Sequence, residues 1–421
     1  MKHIQEHQLK VQNACEDSRT DDTIDVHTYD SFEALSNMQQ DWDSFMDEMA
    51  AEIFLTYDWC KLWWKYYGKG RHLKIFIFRL SGRIIGILPV FMENIWLGPL
   101  SIRLVKIVGT DFMPITISLP IDHNYLMLVI PAFLNRISTL WSWDVLHIGA
   151  LAGSYKQVDR LSETIRNTLN GSHKVECKET EVQTYFEIAN SFEDQLKTLS
   201  ARQRTKTKRV YKELLDKGIT LKSIAADEQN YISFLNDFID MHQANWQRLG
   251  IAGHFVDWPH ARELHKEIAS AQIKHDRLRL LKIMLNDQCV GYEYIYKFGN
   301  TYCWFLSART ELSEFPRIDF HRIAFGEKIN HAISDKVKWI DALRGYYEYK
   351  LVMGGQLKPV NSVIVYSNKG VSNFRYHIFK RSSWLLNVIY MKIWRRRLVP
   401  RLRIRPKPLL KLWIKTNMFS R

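Results

Sequence analysis

The sequence predicts an α/β protein of two similar halves, each a mixed, mainly antiparallel sheet flanked by helices, followed by a basic tail. Three observations carry this expectation. Segments of strand-like alternation and of helical spacing succeed one another in the same order in both halves. A hairpin signature recurs: RLSGRIIGI (79–87) and MLNDQCVGY (284–292) share a leucine, two turn residues, two variable positions, an apolar residue and a glycine, from Leu80/Leu285 to Gly86/Gly291. Charge is segregated as well. Fourteen Lys/Arg and no Asp/Glu lie between Arg375 and Arg421, which leaves 45 basic against 45 acidic residues in the rest of the chain.

In chain order, residues 1–25 are polar and expected to be disordered. The first half (26–180) opens with a helical stretch from Ser31 to Ala51. A second helix follows in LTYDWCKLWWKYY, where Trp59, Leu62, Trp63 and Tyr66 recur at helical spacing. LKIFIFRL, a Ser81-Gly82 turn and RIIGILPVF read as a hairpin. A helix from Leu126 to Leu140 and the strand WDVLHIGA complete this half. The second half (181–370) starts with the strand TYFEIA and a basic helix from Phe192 to Lys217, stopped by Gly218. Helices at Tyr231–Trp246 and Pro259–His275 precede three strands, LRLLKIML, QCVGYEYIYKF and TYCWFLSA, separated by Asn286-Asp287 and Gly299-Asn300 turns. A helix from Arg317 to Ser334, the strand VKWIDAL, a helix begun by YYEYK and the strand NSVIVYS end the body, and 371–421 forms the tail.

With 421 residues, 46% apolar and 25% charged, the composition is that of a globular protein of two or three domains. Five scattered cysteines without a CxxC pair fit reduced thiols rather than a disulfide framework or a zinc site, and no metal is expected. The first residues lack the apolar core of a secretory signal, and no run reaches the 18 or so apolar residues of a membrane span. A cytoplasmic protein peripheral to the inner membrane is the expectation. A neutral body with a basic tail points away from a nucleic-acid-binding fold.

Four segments carry a family resemblance: FLTYDWCKLWW with the following hairpin and Pro89; LSARQRTKTKRV with Ser200, Arg204, Lys208 and Arg209; MHQANWQRLGIAGHF with His242, Trp246 and Gly250; and DALRGYYEYK. Over about residues 50 to 368 the chain resembles the GNAT acyltransferases. Within them it is similar to the CelD/BcsL-type branch, a tandem-GNAT group close in architecture to the FemAB peptidyltransferases. The resemblance implies two GNAT-like domains and transfer of an acyl group from acyl-CoA to a hydroxyl or amine, in bacterial exopolysaccharide or cell-envelope synthesis. Two alternatives stay open: a Fem-like transferase using aminoacyl-tRNA, and a non-catalytic scaffold of a polysaccharide-synthesis complex. The segment ARTELSEFPRIDF departs from the family. Leu312 and Glu314 stand where a pyrophosphate-binding loop has glycines, which weakens the acyl-CoA expectation.

Several residues then become site candidates. Asp341, an acid on an apolar strand, is either an acid–base group or a structural anchor for Arg344 and the next helix. Lys350 is a candidate for stabilising an oxyanion or a phosphate, with Tyr349 beside it. Glu293 shares a strand face with Gly291 and Ile295 and is either a general base or a solvent-facing acid. Ser307 and Arg309 end the next strand, near the expected meeting point of donor and acceptor. His242 and Trp246, four apart, share a helix face and line the acceptor groove if the resemblance holds. Arg204 and Lys208, also four apart, are either a solvated face or a contact for donor phosphates, and with Arg309 they are the candidate donor-binding set.

The tail mixes Trp384, Trp394 and Trp413 with aliphatic and cationic residues, which suits an anionic membrane surface better than an acidic partner or RNA.

Overall fold

A computed structural model describes residues 24–113, 115–152, 155–310, 318–402, 404 and 407–417. The N-terminal segment through residue 23 and the loop at 311–317, with Leu312 and Glu314, lie outside the described residues.

The strands form one twelve-stranded mixed sheet. They are β1 (Asp25–Tyr29), β2 (His72–Leu80), β3 (Arg83–Leu97), β4 (Leu100–Ile107), β5 (Val145–Ala152), β6 (His173–Glu187), β7 (Leu221–Ala225), β8 (Leu278–Leu285), β9 (Gln288–Phe298), β10 (Thr301–Arg309), β11 (Trp339–Arg344) and β12 (Gln356–Ser367). Their order across the sheet is β1-β2-β3-β4-β5-β12-β6-β11-β10-β9-β8-β7. Read from either edge, five consecutive strands of one half are followed by the sixth strand of the other half. β12 pairs with β5, and β6 pairs with β11, both antiparallel. The two exchanged strands run side by side, from Gln356↔Tyr185 to Ser367↔His173. The expected boundary between Thr180 and Glu181 thus falls inside β6, and the halves are stitched through their sheets instead of joined by a linker.

The repeat seen in the hairpins extends to their defects. The β2–β3 register shifts between Phe78 and Arg79, and the β8–β9 register shifts at the matching place, between Ile283 and Met284. Each repeated glycine lies under a helix. A Cβ on Gly86 would come within 3.2 Å of Val129 in α3 (Leu126–Leu140); one on Gly291 would sit 2.2 Å from Phe320 in α9 (Phe320–Ser334). Close helix–sheet packing is why both hairpins keep a residue without a side chain.

The remaining helices used below are α1 (Gln39–Glu48), α2 (Tyr57–Tyr67), α4 (Tyr155–Leu169), α5 (Phe192–Thr198), α6 (Ala201–Asp216), α7 (Tyr231–Arg248), α8 (Ala261–Lys274), α10 (Glu348–Val352), α11 (Gly370–Leu386) and α12 (Lys411–Thr416). The aromatic spacing of α2 buries Trp59 and Trp63 completely. Trp59 meets Tyr296 at 5.1 Å and Phe305 at 6.2 Å between ring centroids, so a first-half helix fills the core of the second half. Arg277 pairs with Asp43 at 2.7 Å across the same junction.

The start and the end of the basic tail are packed on the body. Tyr376 and Phe379 of α11 are buried with Leu104, Ile364 and Tyr366. In α12, Lys415 reaches the buried Glu93 at 2.6 Å. That carboxylate also holds Arg71 at 3.0 Å and Lys106 at 3.0 Å, and both cations bind Asp111. Among the described residues no helix is long and apolar enough to cross a membrane.

Candidate functional site

In each half the fourth and fifth strands run parallel for three residue pairs and then part. β4 and β5 pair from Leu104↔Val145 to Lys106↔His147, and β10 and β11 from Thr301↔Trp339 to Cys303↔Asp341. The two gaps differ. In the first half the chain returns into the gap: Ile117 N–H donates to Ala150 O at 3.0 Å, and Ala152 N–H donates to Ile117 O at 2.8 Å. In the second half the gap opens on a cavity of about 580 Å3, lined by Trp304 to Ser307 of β10 and Ala342 to Arg344 of β11. The cavity continues across the central strands to Asp111, Phe112 and His147, and Trp413 and Ile414 of α12 form part of its wall.

Lys350 projects from the short helix α10 into this gap. Its Nζ donates to Ala342 O at 2.6 Å and lies 4.6 Å from the Tyr347 ring. Burial pushes its pKa down to about 8, against the attraction of Asp341. Tyr349 also lines the cavity; its ring stands 6.5 Å from Trp304 and 6.0 Å from His321. Burial and the Glu293 carboxylate push its phenol up to about 12.

A hydrogen-bonded chain runs inward from the β10 edge. Trp304 Nε1 donates to Ser307 Oγ at 2.8 Å, and Ser307 Oγ donates to Glu293 Oε2 at 2.7 Å. Lys328 of α9 closes the chain, with Nζ 2.9 Å from the same Glu293 oxygen and 3.0 Å from the Trp304 ring centre. Burial lowers Lys328 to about 8, opposed by Glu293. Glu293 is itself buried, so the solvent-facing alternative is excluded, and it communicates with the cavity through Ser307. Lys328 and Trp304 escaped the sequence reading. A single lysine between Phe325 and Ile329, on the buried face of a helix, was the available signal for the first.

His242 lines the cavity with both ring nitrogens engaged. The indole Nε1 of Trp246 can only donate, and it reaches His242 Nε2 at 2.9 Å; Nδ1 must therefore carry the proton, which it donates to Ser307 O at 3.1 Å. Burial pushes the imidazole down to about 4. A neutral ring with no free lone pair positions β10 and does not move protons.

Asp341 departs from its expected catalytic place. It alternates with Ala342, which faces the cavity, and does not line that cavity itself. Its Oδ1 accepts from Leu343 N at 2.8 Å, and burial raises it to about 6. It acts as a structural acid bracing the turn that carries Lys350. Arg344 does line the cavity, 3.8 Å from Glu181. The donor-binding set is dispersed. Arg204 donates to Leu199 O at 3.3 Å, and Lys208 pairs with Glu193 at 3.0 Å on the exposed side of α6, neither lining the cavity. Arg309 is held at its backbone by Asn245, with its guanidinium against His321.

Each half, five consecutive strands and a sixth taken from the other half, parts at a parallel pair, and the doubled sheet has a tandem GNAT-like fold. Residues 201–351 match the family described as an acetyltransferase (GNAT) domain. Among solved structures the chain is similar in fold to FemX, with a TM-score of 0.58 and 11% identity over 81% of this chain and 98% of that one. More distant likenesses include a conserved protein of unknown function from Bacteroides thetaiotaomicron, at a TM-score of 0.48 and 10% identity over 79% and 97% of the two chains. Another is L-PGS from Bacillus licheniformis, at 0.45 and 10% over 80% and 95%. No curated protein matches the chain in sequence.

Proposed function

We propose that the chain transfers an acyl group, presented in the second-half gap, to a hydroxyl or amine of an envelope polysaccharide or its precursor. The observation that supports this most is the contrast between the gaps. In one the chain pairs back onto the parted strand at Ala150 and Ala152, and in the other the strands stay apart beside a buried lysine whose pKa is lowered to about 8. The acceptor loses its proton to Ser307 Oγ, which passes its own to Glu293. The freed nucleophile attacks the acyl carbonyl, the bond to the leaving group breaks, and Lys350 protonates that group. Aromatic walls from Phe112, Trp258, Tyr347 and Trp413, interspersed with the hydroxyls of Thr110, Thr180 and Ser362, suit a sugar ring and its hydroxyls.

Acyl-CoA is the first donor to test. An aminoacyl ester is the second reading, which the likeness in fold to FemX leaves open. The experiment is thermal unfolding with acetyl- and longer acyl-CoAs, with turnover of the wild type and Lys350→Met. Stabilisation by a CoA ester and a rate loss of roughly 10²–10⁴ in the variant are expected. The wild-type rate should fall as pH rises through about 8, where Lys350 gives up its proton. Unchanged turnover in Lys350→Met would remove Lys350 from the site, wild-type protein that turns over no donor would leave a scaffold as the better reading, and stabilisation by aminoacyl esters alone would select the second donor.

A further inference from the structure

Helix α11 continues beyond Leu386 as a wider helix, Asn387–Leu398, and the continuous rod is fixed to the body along one side. Tyr376, Phe379 and Ser383 are buried there. Trp413 Nε1 donates to Asn387 Oδ1 at 2.9 Å, Leu410 N–H donates to the Tyr390 hydroxyl at 2.9 Å, and Arg395 is paired with Asp257.

The other side faces solvent. Phe374, Arg381, Leu385, Ile389, Lys392 and Arg396 recur three, four or seven residues apart and are all exposed. Leu385 and Ile389 are 50% and 52% exposed, and the indoles of Trp384 and Trp394 beside them 54% and 42%. Large apolar groups held outward on a rigid helix lose nothing in order by being covered. No carboxylate lies between Arg375 and Arg421 to offset the cations.

We propose that this face docks on an anionic lipid bilayer, with Leu385, Ile389 and Trp384 entering the headgroup boundary and Arg381, Lys392 and Arg396 meeting the lipid charges. An apolar stripe edged by cations and indoles is what a helix lying in that boundary requires. A second copy of the chain fits badly, because a two-fold contact would set these cations against themselves. Nucleic acid would leave the aliphatic stripe without a partner. The same segment runs on to α12, whose Trp413 walls the cavity, so docking holds the cavity beside the membrane surface.

Deleting the tail would strip the cavity wall and one partner of Glu93, so point variants of the full chain are the proper probe. Co-sedimentation is measured with neutral phosphatidylcholine vesicles and with vesicles carrying about one-third phosphatidylglycerol, for wild type, Leu385→Asp/Ile389→Asp and Arg381→Ala/Lys392→Ala/Arg396→Ala. Wild type should bind the anionic vesicles about tenfold or more tightly than the neutral ones, and each variant should lose about tenfold, with thermal unfolding unchanged. The proposal is overturned if the wild type ignores anionic vesicles or the variants bind as it does. It is equally overturned if the apolar variant only converts a dimer to a monomer, or if the cationic variant loses RNA binding while keeping vesicle binding.

Discussion

His242 shows how much of a residue's role is set by its neighbours. A histidine near a cavity invites a catalytic reading, yet Trp246 caps one nitrogen and Ser307 O takes the proton of the other. The cost of that arrangement is paid in acid. The folded imidazole titrates at about 4 and the unfolded one near 6.5, so protons bind the unfolded chain first. The stability this group contributes is present above about 6.5 and lost as pH falls toward 4, at up to about 1.4 kcal/mol per pH unit. His242→Gln should therefore melt lower at pH 7.5 but decline less steeply between pH 6.5 and 4.5. Parallel melting-temperature profiles for variant and wild type would contradict this. Lys350 illustrates the opposite outcome: its residue type and its place after the strand were legible, and the structure sets it in the gap. Asp341 was equally conspicuous in the sequence, but strand alternation turns it away from the cavity.

At the scale of elements, the paired hairpins make the sharpest comparison. Gly86 and Gly291 occupy matching positions, but α9 presses closer than α3. An alanine methyl at 291 would collide with Phe320 and with Ala308 O, 2.7 Å away, whereas at 86 its nearest contact is Val129 at 3.2 Å. Gly291→Ala should destabilise by about 1–3 kcal/mol and Gly86→Ala by clearly less, read as denaturant midpoints. Equal midpoints would show that α9 shifts freely. Among the elements absent from the sequence-based expectation, which include β1 and β7, two carry clear periodic signals. β4 alternates Leu100, Ile102 and Leu104, and α4 spaces Val158, Leu161 and Ile165 at helical intervals. The expected strand TYFEIA covers only the end of β6. Its earlier part, HKVECKETEV, carries charge where a central strand is expected to be apolar, and that polar stretch is accommodated by pairing with β12.

For the whole molecule, strand exchange makes each half depend on the other. β5 without β12, and β6 without β11 and β12, would leave long unpaired edges. Residues 1–190 expressed alone should give no cooperative thermal transition, and co-expression with 191–421 should restore a soluble two-chain complex. A sharp transition in the isolated fragment would refute this. The tail belongs to the same unit, because Lys415 completes the buried Arg71–Glu93–Lys106–Asp111 cluster. Its basic composition suggested a separate tether, but composition is blind to where Tyr376, Phe379 and Trp413 pack.

By itself the sequence determined the α/β class, the duplication, most hairpins and helices and that Lys350 follows a strand closely, because periodicity and turn chemistry act over a few residues. Tertiary structure alone decided which strands lie side by side and which gap is open. It also decided that Glu293 meets Lys328 through space, and that the end of the tail walls the cavity. Those outcomes depend on contacts between residues far apart in the chain, where spacing along the sequence carries no information.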